Sequence, residues 1–178
     1  MKETELKILD INPDTFVARL EALGAKKIAT RKIIDKQFDT PAGDINKKKE
    51  LLRLRKDDEQ GFLAFKTNRV KTEHIQSCDE FEVAVSDIET AEKIIIGLGF
   101  IQTRYREKIR TSYLLDDVRV EIEKYPTIPY YIELEGDEPA ITALVEKLGY
   151  TMDSTTSWTA TKVLKHYGED PSLQVFEP

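Results

Sequence analysis

The sequence predicts an α+β fold made mainly of antiparallel strands, with a few helices laid against them. Three observations carry that reading. Charged and apolar residues alternate along eight segments with the period of two that a strand imposes, so residues two apart share a face. Four further segments have helical spacing, and three of them stop at a Leu-Gly pair: Leu23-Gly24, Leu98-Gly99 and Leu148-Gly149. No Pro/Gly/Ser-rich linker interrupts the 178 residues, so one domain spanning 1–178 is expected.

Residues 2–10 alternate and read as the first strand. Asn12-Pro13-Asp14 then supplies an N-cap and a proline suited to the first helical turn. The helix that follows carries Phe16, Val17, Leu20 and Leu23 on one stripe and stops at Gly24. Further strands are expected near 26–39, 49–56, 61–68, 78–85, 100–115, 117–124 and 129–136, and helices near 87–98, 137–147 and 155–166. A weak repeat runs through this order. Three times a strand bearing Glu-x-Glu precedes a helix ending in Leu-Gly: Glu3/Glu5, Glu80/Glu82 and Glu133/Glu135.

Composition narrows the function. Charged residues make up 34% and hydrophobic residues 40%, enough apolar material for a core and too much for a disordered chain. The net charge of −6 and pI near 5.1 argue against nucleic acid or an anionic membrane as partner. Lys47-Lys48-Lys49 with Arg53, Arg55 and Lys56 is locally basic, yet its alternating leucines read as a strand. No apolar run approaches the roughly 18 residues of a membrane helix, and Met1–Glu5 lacks a signal-type apolar stretch, so a cytoplasmic protein is expected. A single cysteine, Cys78, and two histidines, His74 and His166, exclude a Cys- or His-rich metal site. Any metal must be held by oxygen, which suits magnesium, manganese or calcium. There is no Gly-rich phosphate loop, so phosphate would have to be held by side chains.

The charges are sorted by face. Glu3, Glu5 and Lys7 share one face, opposite Leu6 and Ile8. Arg53 and Arg55 share another, as do Glu80 and Glu82, then Arg106, Lys108 and Arg110, then Arg119, Glu121 and Glu123, and finally Glu133 and Glu135. Two arrangements fit. An antiparallel sheet with one wet face alternates in this way. A closed barrel with an apolar outer wall under helices and a charged interior does so too. Same-sign pairs on one face repel, so fold stability does not call for them. A bound ligand does: paired carboxylates suit a hard cation, and paired Arg and Lys suit phosphate oxygens.

Glu3-Thr4-Glu5-Leu6-Lys7 matches the E-x-E-x-K motif, and five later segments match in order: Asp35-Lys36-Gln37-Phe38-Asp39-Thr40-Pro41, Leu52-Arg53-Leu54-Arg55, Phe65-Lys66-Thr67, Lys108-Ile109-Arg110-Thr111-Ser112-Tyr113 and Tyr131-Ile132-Glu133-Leu134-Glu135. Together they make the chain resemble the CYTH superfamily, the triphosphate tunnel metalloenzymes, which include class IV adenylyl cyclases and thiamine and inorganic triphosphatases. The resemblance implies an eight-stranded antiparallel closed β-barrel, a tunnel for a triphosphate, with helices packed outside. It assigns Mg²⁺ or Mn²⁺, one or two ions, to Glu3, Glu5, Glu123, Glu133 and Glu135. It assigns the phosphates to Lys7, Arg53, Arg55, Lys66, Lys108, Arg110 and Lys162, with Lys7, Lys66 and Lys108 as the catalytic candidates. Glu80, Glu82, Arg106 and Arg119 are additional candidates.

The implied substrate is a small triphosphate: ATP, thiamine triphosphate or tripolyphosphate. Water attacking the terminal phosphorus makes the protein a triphosphatase; a ribose hydroxyl attacking the α-phosphorus of ATP makes it an adenylyl cyclase. Glu121-Ile122-Glu123 stands where cyclases carry His-x-Asp, and the proline-marked Tyr125–Pro129 turn replaces a glycine-bearing one, so hydrolysis is the leading expectation and cyclisation the alternative. A non-catalytic polyphosphate or nucleotide binder is a third reading. Pairing of exposed barrel faces makes a homodimer the expectation for assembly.

Overall fold

A ring of hydrogen-bonded strands, with nothing left at its edges, decides between the two arrangements. The computed structural model describes residues 2–177. In chain order the elements are β1 (Lys2–Ile8), α1 (Pro13–Ala22), β2 (Lys26–Asp39), α2 (Asp44–Lys47), β3 (Leu51–Asp57), β4 (Gln60–Lys71), β5 (Gln76–Val85), α3 (Ile88–Gly97), β6 (Ile101–Leu115), β7 (Val118–Lys124), β8 (Tyr131–Glu135), α4 (Glu138–Lys147), β9 (Thr155–Thr156), α5 (Ala160–His166) and β10 (Leu173–Gln174). Going round, β1 pairs β5, then β4, β3, β2, β6, β7 and β8, and β8 returns to β1. Every one of these pairings is antiparallel, so the expected eight-stranded closed barrel is present. Two short strands decorate it: β9 lies against Lys7 and Ile8, and β10 runs parallel to β6 at Tyr105 and Arg106.

Much of the outward apolar surface is covered by helices, while Phe81 and Val83 of β5 stay exposed. Leu6, Ile8, Val120, Ile132 and Leu134 meet Phe16 and Leu20 of α1 and Ile141, Leu144 and Val145 of α4. Across the barrel, Ile95 of α3 packs on Phe38 and Leu54, while Val163 and Leu164 of α5 pack on Tyr125, Ile128 and Tyr131. Each fully buried aliphatic side chain contributes roughly 1.5–3 kcal/mol, so outer contacts hold α1, α3 and α4 to the wall, whereas α5 packs at the cavity side on Tyr125 and Tyr131. α1 and α3 end as the Leu-Gly pairs predict, with Gly24 and Gly99 at φ +89° and +93°, a region that disfavours any side chain. No helix among the described residues is long and apolar enough to cross a membrane.

Three local features differ from expectation. The last helix begins at Ala160 rather than 155, because Thr155 and Thr156 pair with β1 and Thr159 caps the helix by accepting from the Lys162 amide. The short α2 is unforeseen; it is seeded by the Asp39 carboxylate, which accepts the amides of Thr40, Ile45 and Asn46 at 2.7, 2.9 and 3.0 Å. Finally, β4 runs on past 68. A bulge between Thr67 and Val70, with Asn68 at φ +51°, reverses the alternation there. Val70 turns outward, and Lys71 comes opposite Gln76, whose side chain points inward.

Candidate functional site

The inward faces enclose a cavity of about 1370 Å³ whose lining is mostly charged. Strand parity puts most of the paired Glu and Arg/Lys side chains here, while Glu121 and Glu123 of β7 are fully buried behind the lining, and the register brings specific members together. Glu5 is the register partner of Glu135, and Lys7 of Glu133. As a result Glu3, Glu5 and Glu135 offer carboxylate oxygens that all lie within 4.8 Å of one another.

Two lysines already hold two members of that trio. Lys66 Nζ donates to Glu3 Oε2 at 2.5 Å and lies 3.2 Å from Glu80. Lys7 Nζ donates to Glu5 Oε1 at 2.5 Å and lies 3.2 Å from Glu133. Burial works against the charge on Lys7, but Glu133 and Glu5 overcome it and hold its ionisation above the usual lysine range. Burial likewise opposes the charge on Glu3, and Lys66 beside it keeps that carboxyl below its usual value. Gln76 donates its amide to Glu5, and the Cys78 thiol donates to Glu3 at 3.2 Å. Burial and Glu3 push that thiol up to about 12, which makes it inert as a nucleophile. Glu135 has no lysine. Its burial, with Glu5, Glu133 and Glu3 adding to it against Arg110, pushes the carboxyl up to about 7.

The other predicted residues form a deeper network. Lys108 Nζ donates to Glu123 Oε1 at 2.8 Å, and Arg110 Nε donates to the same oxygen at 2.6 Å. Arg110 also reaches Glu133 at 3.1 Å, so Glu123 and Glu133 sit against cations rather than with the acid trio. Glu121, fully buried, accepts from the Ser112 hydroxyl. Arg55 grips Asp35 with two bonds, Nε at 2.8 Å and Nη2 at 3.2 Å, and Arg53 donates to Glu80 and Glu82 at 3.1 and 3.3 Å. Arg106 lines the cavity, but its donors go to Pro171 O and Thr161. Arg119 lines it at an exposed end, 3.9 Å from Glu121. Lys162 is not among the lining residues; its ammonium lies over the Trp158 ring, 4.4 Å from the centroid.

Sequence reasoning left out Asp35, Gln37, Arg104, Gln76 and Lys71, all of which line the cavity. For Arg104 the signal was present: it shares parity with Arg106, Lys108 and Arg110 on β6; Asp35 and Gln37 share parity with each other on β2, a strand whose face had not been assigned. Lys71 had none, because the bulge that aims it inward breaks the parity.

A model of the CYTH domain family matches residues 1–159. The chain belongs to the CYTH domain family. A Methanocaldococcus jannaschii protein named "putative adenylate cyclase" is 28% identical over 135 residues, 76% of this chain and 77% of its own length. A Pyrococcus horikoshii protein superposes with a TM-score of 0.76 at 23% identity, covering 90% of this chain and 98% of that one. A Hippeastrum protein, described as a putative adenylyl cyclase with a dominant triphosphatase activity, superposes at 0.69 and 18% identity, covering 95% and 96%. These likenesses show that the barrel is shared.

This CYTH barrel can hold a divalent cation at Glu3, Glu5 and Glu135. The donors are all hard oxygens converging from adjacent strands, which fits Mg²⁺ or Mn²⁺ and suits no soft metal. A carboxyl must be ionised to bind a cation, and Glu135 is half-protonated near pH 7. Mn²⁺ affinity measured calorimetrically is therefore expected to fall by up to about tenfold per pH unit below pH 7 and to level off above it. A flat profile between about pH 6 and about pH 8 would remove Glu135 from the ligand set.

Proposed function

We propose that this protein is a divalent-metal-dependent enzyme that takes a triphosphate into its barrel and hydrolyses it. One observation carries the reading: an acid trio and six cations, Lys7, Arg53, Arg55, Lys66, Lys108 and Arg110, share one enclosed cavity. A triphosphate is protected from nucleophiles by its own negative charge. Guanidinium and ammonium groups fixed around it cancel that charge and align the chain for in-line attack. Arg53 and Arg55 offer forked donors to phosphate oxygens, while Lys7 and Lys66 bring point charges next to the acid trio. Mg²⁺ or Mn²⁺, held by Glu3, Glu5 and Glu135, would supply further charge neutralisation and ease deprotonation of the attacking water. Lys108 sits where it can orient a phosphoryl group, fixed by Glu123 on one side and the Tyr125 ring 5.8 Å away on the other.

Glu5→Ala is expected to lower Mg²⁺-dependent phosphate release from tripolyphosphate by about 10²-fold or more, with the far-UV circular dichroism unchanged. Turnover at the wild-type rate would show that β1 carries no metal ligand. A second reading, cyclisation of ATP to cyclic AMP and pyrophosphate, is favoured by the name of the Methanocaldococcus jannaschii relative. Incubating the protein with Mg²⁺ or Mn²⁺ and, separately, ATP, thiamine triphosphate and tripolyphosphate separates the two. Orthophosphate supports hydrolysis, cyclic AMP supports the second reading, and binding without either product leaves a binder.

A further inference from the structure

Four cations stand in a row on the inward face of β6: Arg104, Arg106, Lys108 and Arg110. At about 3.3 Å of rise per residue the row spans roughly 20 Å. Its two halves differ. Lys108 and Arg110 are neutralised by Glu123 and Glu133. Arg104 and Arg106 make no direct ion pair among the described residues, and Asp39 and Asp170 act on them only from a distance. Arg106 is 2% exposed, yet Nε donates to the Pro171 carbonyl at 2.7 Å and Nη2 to the Thr161 hydroxyl at 2.8 Å, both uncharged groups. Arg104 donates to the Gln37 side-chain oxygen at 3.1 Å, also uncharged.

The nearby acids are all engaged elsewhere. Asp35, the register partner of Arg106, is gripped by Arg55. Asp39 caps α2, and Asp170 accepts from the Ser172 amide and hydroxyl at 2.8 and 2.7 Å. A buried ion without a counter-ion is costly, and Lys7, Arg53, Arg55, Lys66, Lys108 and Arg110 each have one. Arg106 is the fully buried member; Arg104 is half-buried, and burial and Arg106 pull its ionisation below the usual range while Asp39 opposes them.

We propose that Arg104 and Arg106 form a second oxyanion pocket in the tunnel, one that takes a phosphoryl group lying beyond those held by the core cations. The inference rests on the triphosphate reading and extends it. An anion reaching Arg53 or Lys66 must displace a carboxylate, whereas one reaching Arg104 and Arg106 displaces none. The group has two sources with the same chemistry: the next unit of a polyphosphate longer than three, or the orthophosphate set free by hydrolysis.

Calorimetric titration of the whole protein in EDTA, where turnover is halted, tests this with tripolyphosphate, tetrapolyphosphate and orthophosphate. Arg106 also ties down α5 and the C-terminal segment, so Arg104→Gln is the decisive variant and Arg106→Lys the supporting one. If the longer chain is the source, the wild type binds tetrapolyphosphate about tenfold or more tighter than tripolyphosphate, and Arg104→Gln erases that preference while leaving tripolyphosphate within about twofold. If free phosphate is the source, wild type loaded with tripolyphosphate still binds orthophosphate and Arg104→Gln does not. An Arg104→Gln protein that matches the wild type with all three ligands overturns the pocket. A wild type that binds none of them in EDTA, and binds no imido-linked triphosphate with Mg²⁺ either, overturns the triphosphate reading and the pocket with it; one that binds only with Mg²⁺ is compared with Arg104→Gln by the same titrations of imido-linked chains in Mg²⁺.

Discussion

Mg²⁺ and a non-hydrolysable imido-linked triphosphate are expected to bind this barrel cooperatively, each tightening the other by about tenfold or more. The reason lies in who holds the acid trio. Glu3 is bound by Lys66 and Glu5 by Lys7, each at 2.5 Å. Those two lysines are also candidates for the phosphate oxygens. A cation that takes Glu3 and Glu5 alone removes the closer of the two carboxylates from each buried ammonium, leaving Lys66 with Glu80 and Lys7 with Glu133 at 3.2 Å. A triphosphate that takes Lys7 and Lys66 alone strands two carboxylates. Either half-exchange carries a desolvation penalty that the full exchange avoids, because every charge then finds an opposite partner. Coupling between two ligands is reciprocal and typically amounts to 1–3 kcal/mol, about 5- to 150-fold. Calorimetry with and without saturating Mg²⁺, corrected for complexes formed in free solution, reads it from the triphosphate side, and the converse titration must return the same factor. Independent binding would mean that the lysines do not change partners.

The alternation of charge along the chain was enough to sort the charged side chains of most barrel strands onto one face, since parity is a property of the backbone alone. It was not enough to close the ring. Closure depends on β6 bonding β2 along most of its length and β7 along about its last half, which no local pattern encodes. Parity also says nothing about depth. Glu133 and Glu135 share a face and a Glu-x-Glu motif, yet Glu135 joins Glu3 and Glu5 while Glu133 sits one step deeper beside Lys7 and Arg110. Strand stagger in a barrel sets that difference, and it emerges only when all eight registers are known. The same holds for Asp35. Its motif was recognised, but its task, neutralising Arg55 from the neighbouring strand, requires the β2–β3 register that places the two side by side. Lys71 is the limiting case: one bulge at Asn68 changes which side chain faces the tunnel, in a stretch beyond the expected end of the strand at 68.

Asp35→Asn is expected to destabilise the unliganded protein by about 3–5 kcal/mol while tightening its hold on tripolyphosphate. Asp35 is buried and takes two bonds from Arg55, with Arg53 at 3.8 Å. Burial alone would push its carboxyl up, but Arg55, Arg53 and Lys108 hold it well below the usual carboxylate range. A lowered pKa in the folded state means that the stabilisation is fully present above the ordinary Asp value and is lost as the pH falls below it. The asparagine variant should therefore be the less stable protein in denaturant at neutral pH and should lose less than the wild type on acidification. Affinity should move the other way. In the wild type a phosphate must compete with Asp35 for the Arg55 fork; in the variant the fork is free, and the phosphate itself supplies the missing negative charge. Tripolyphosphate should thus raise the unfolding midpoint of Asp35→Asn by more than it raises that of the wild type. A variant weakened in both stability and affinity would mean that Asp35 shapes the site rather than guarding its arginines.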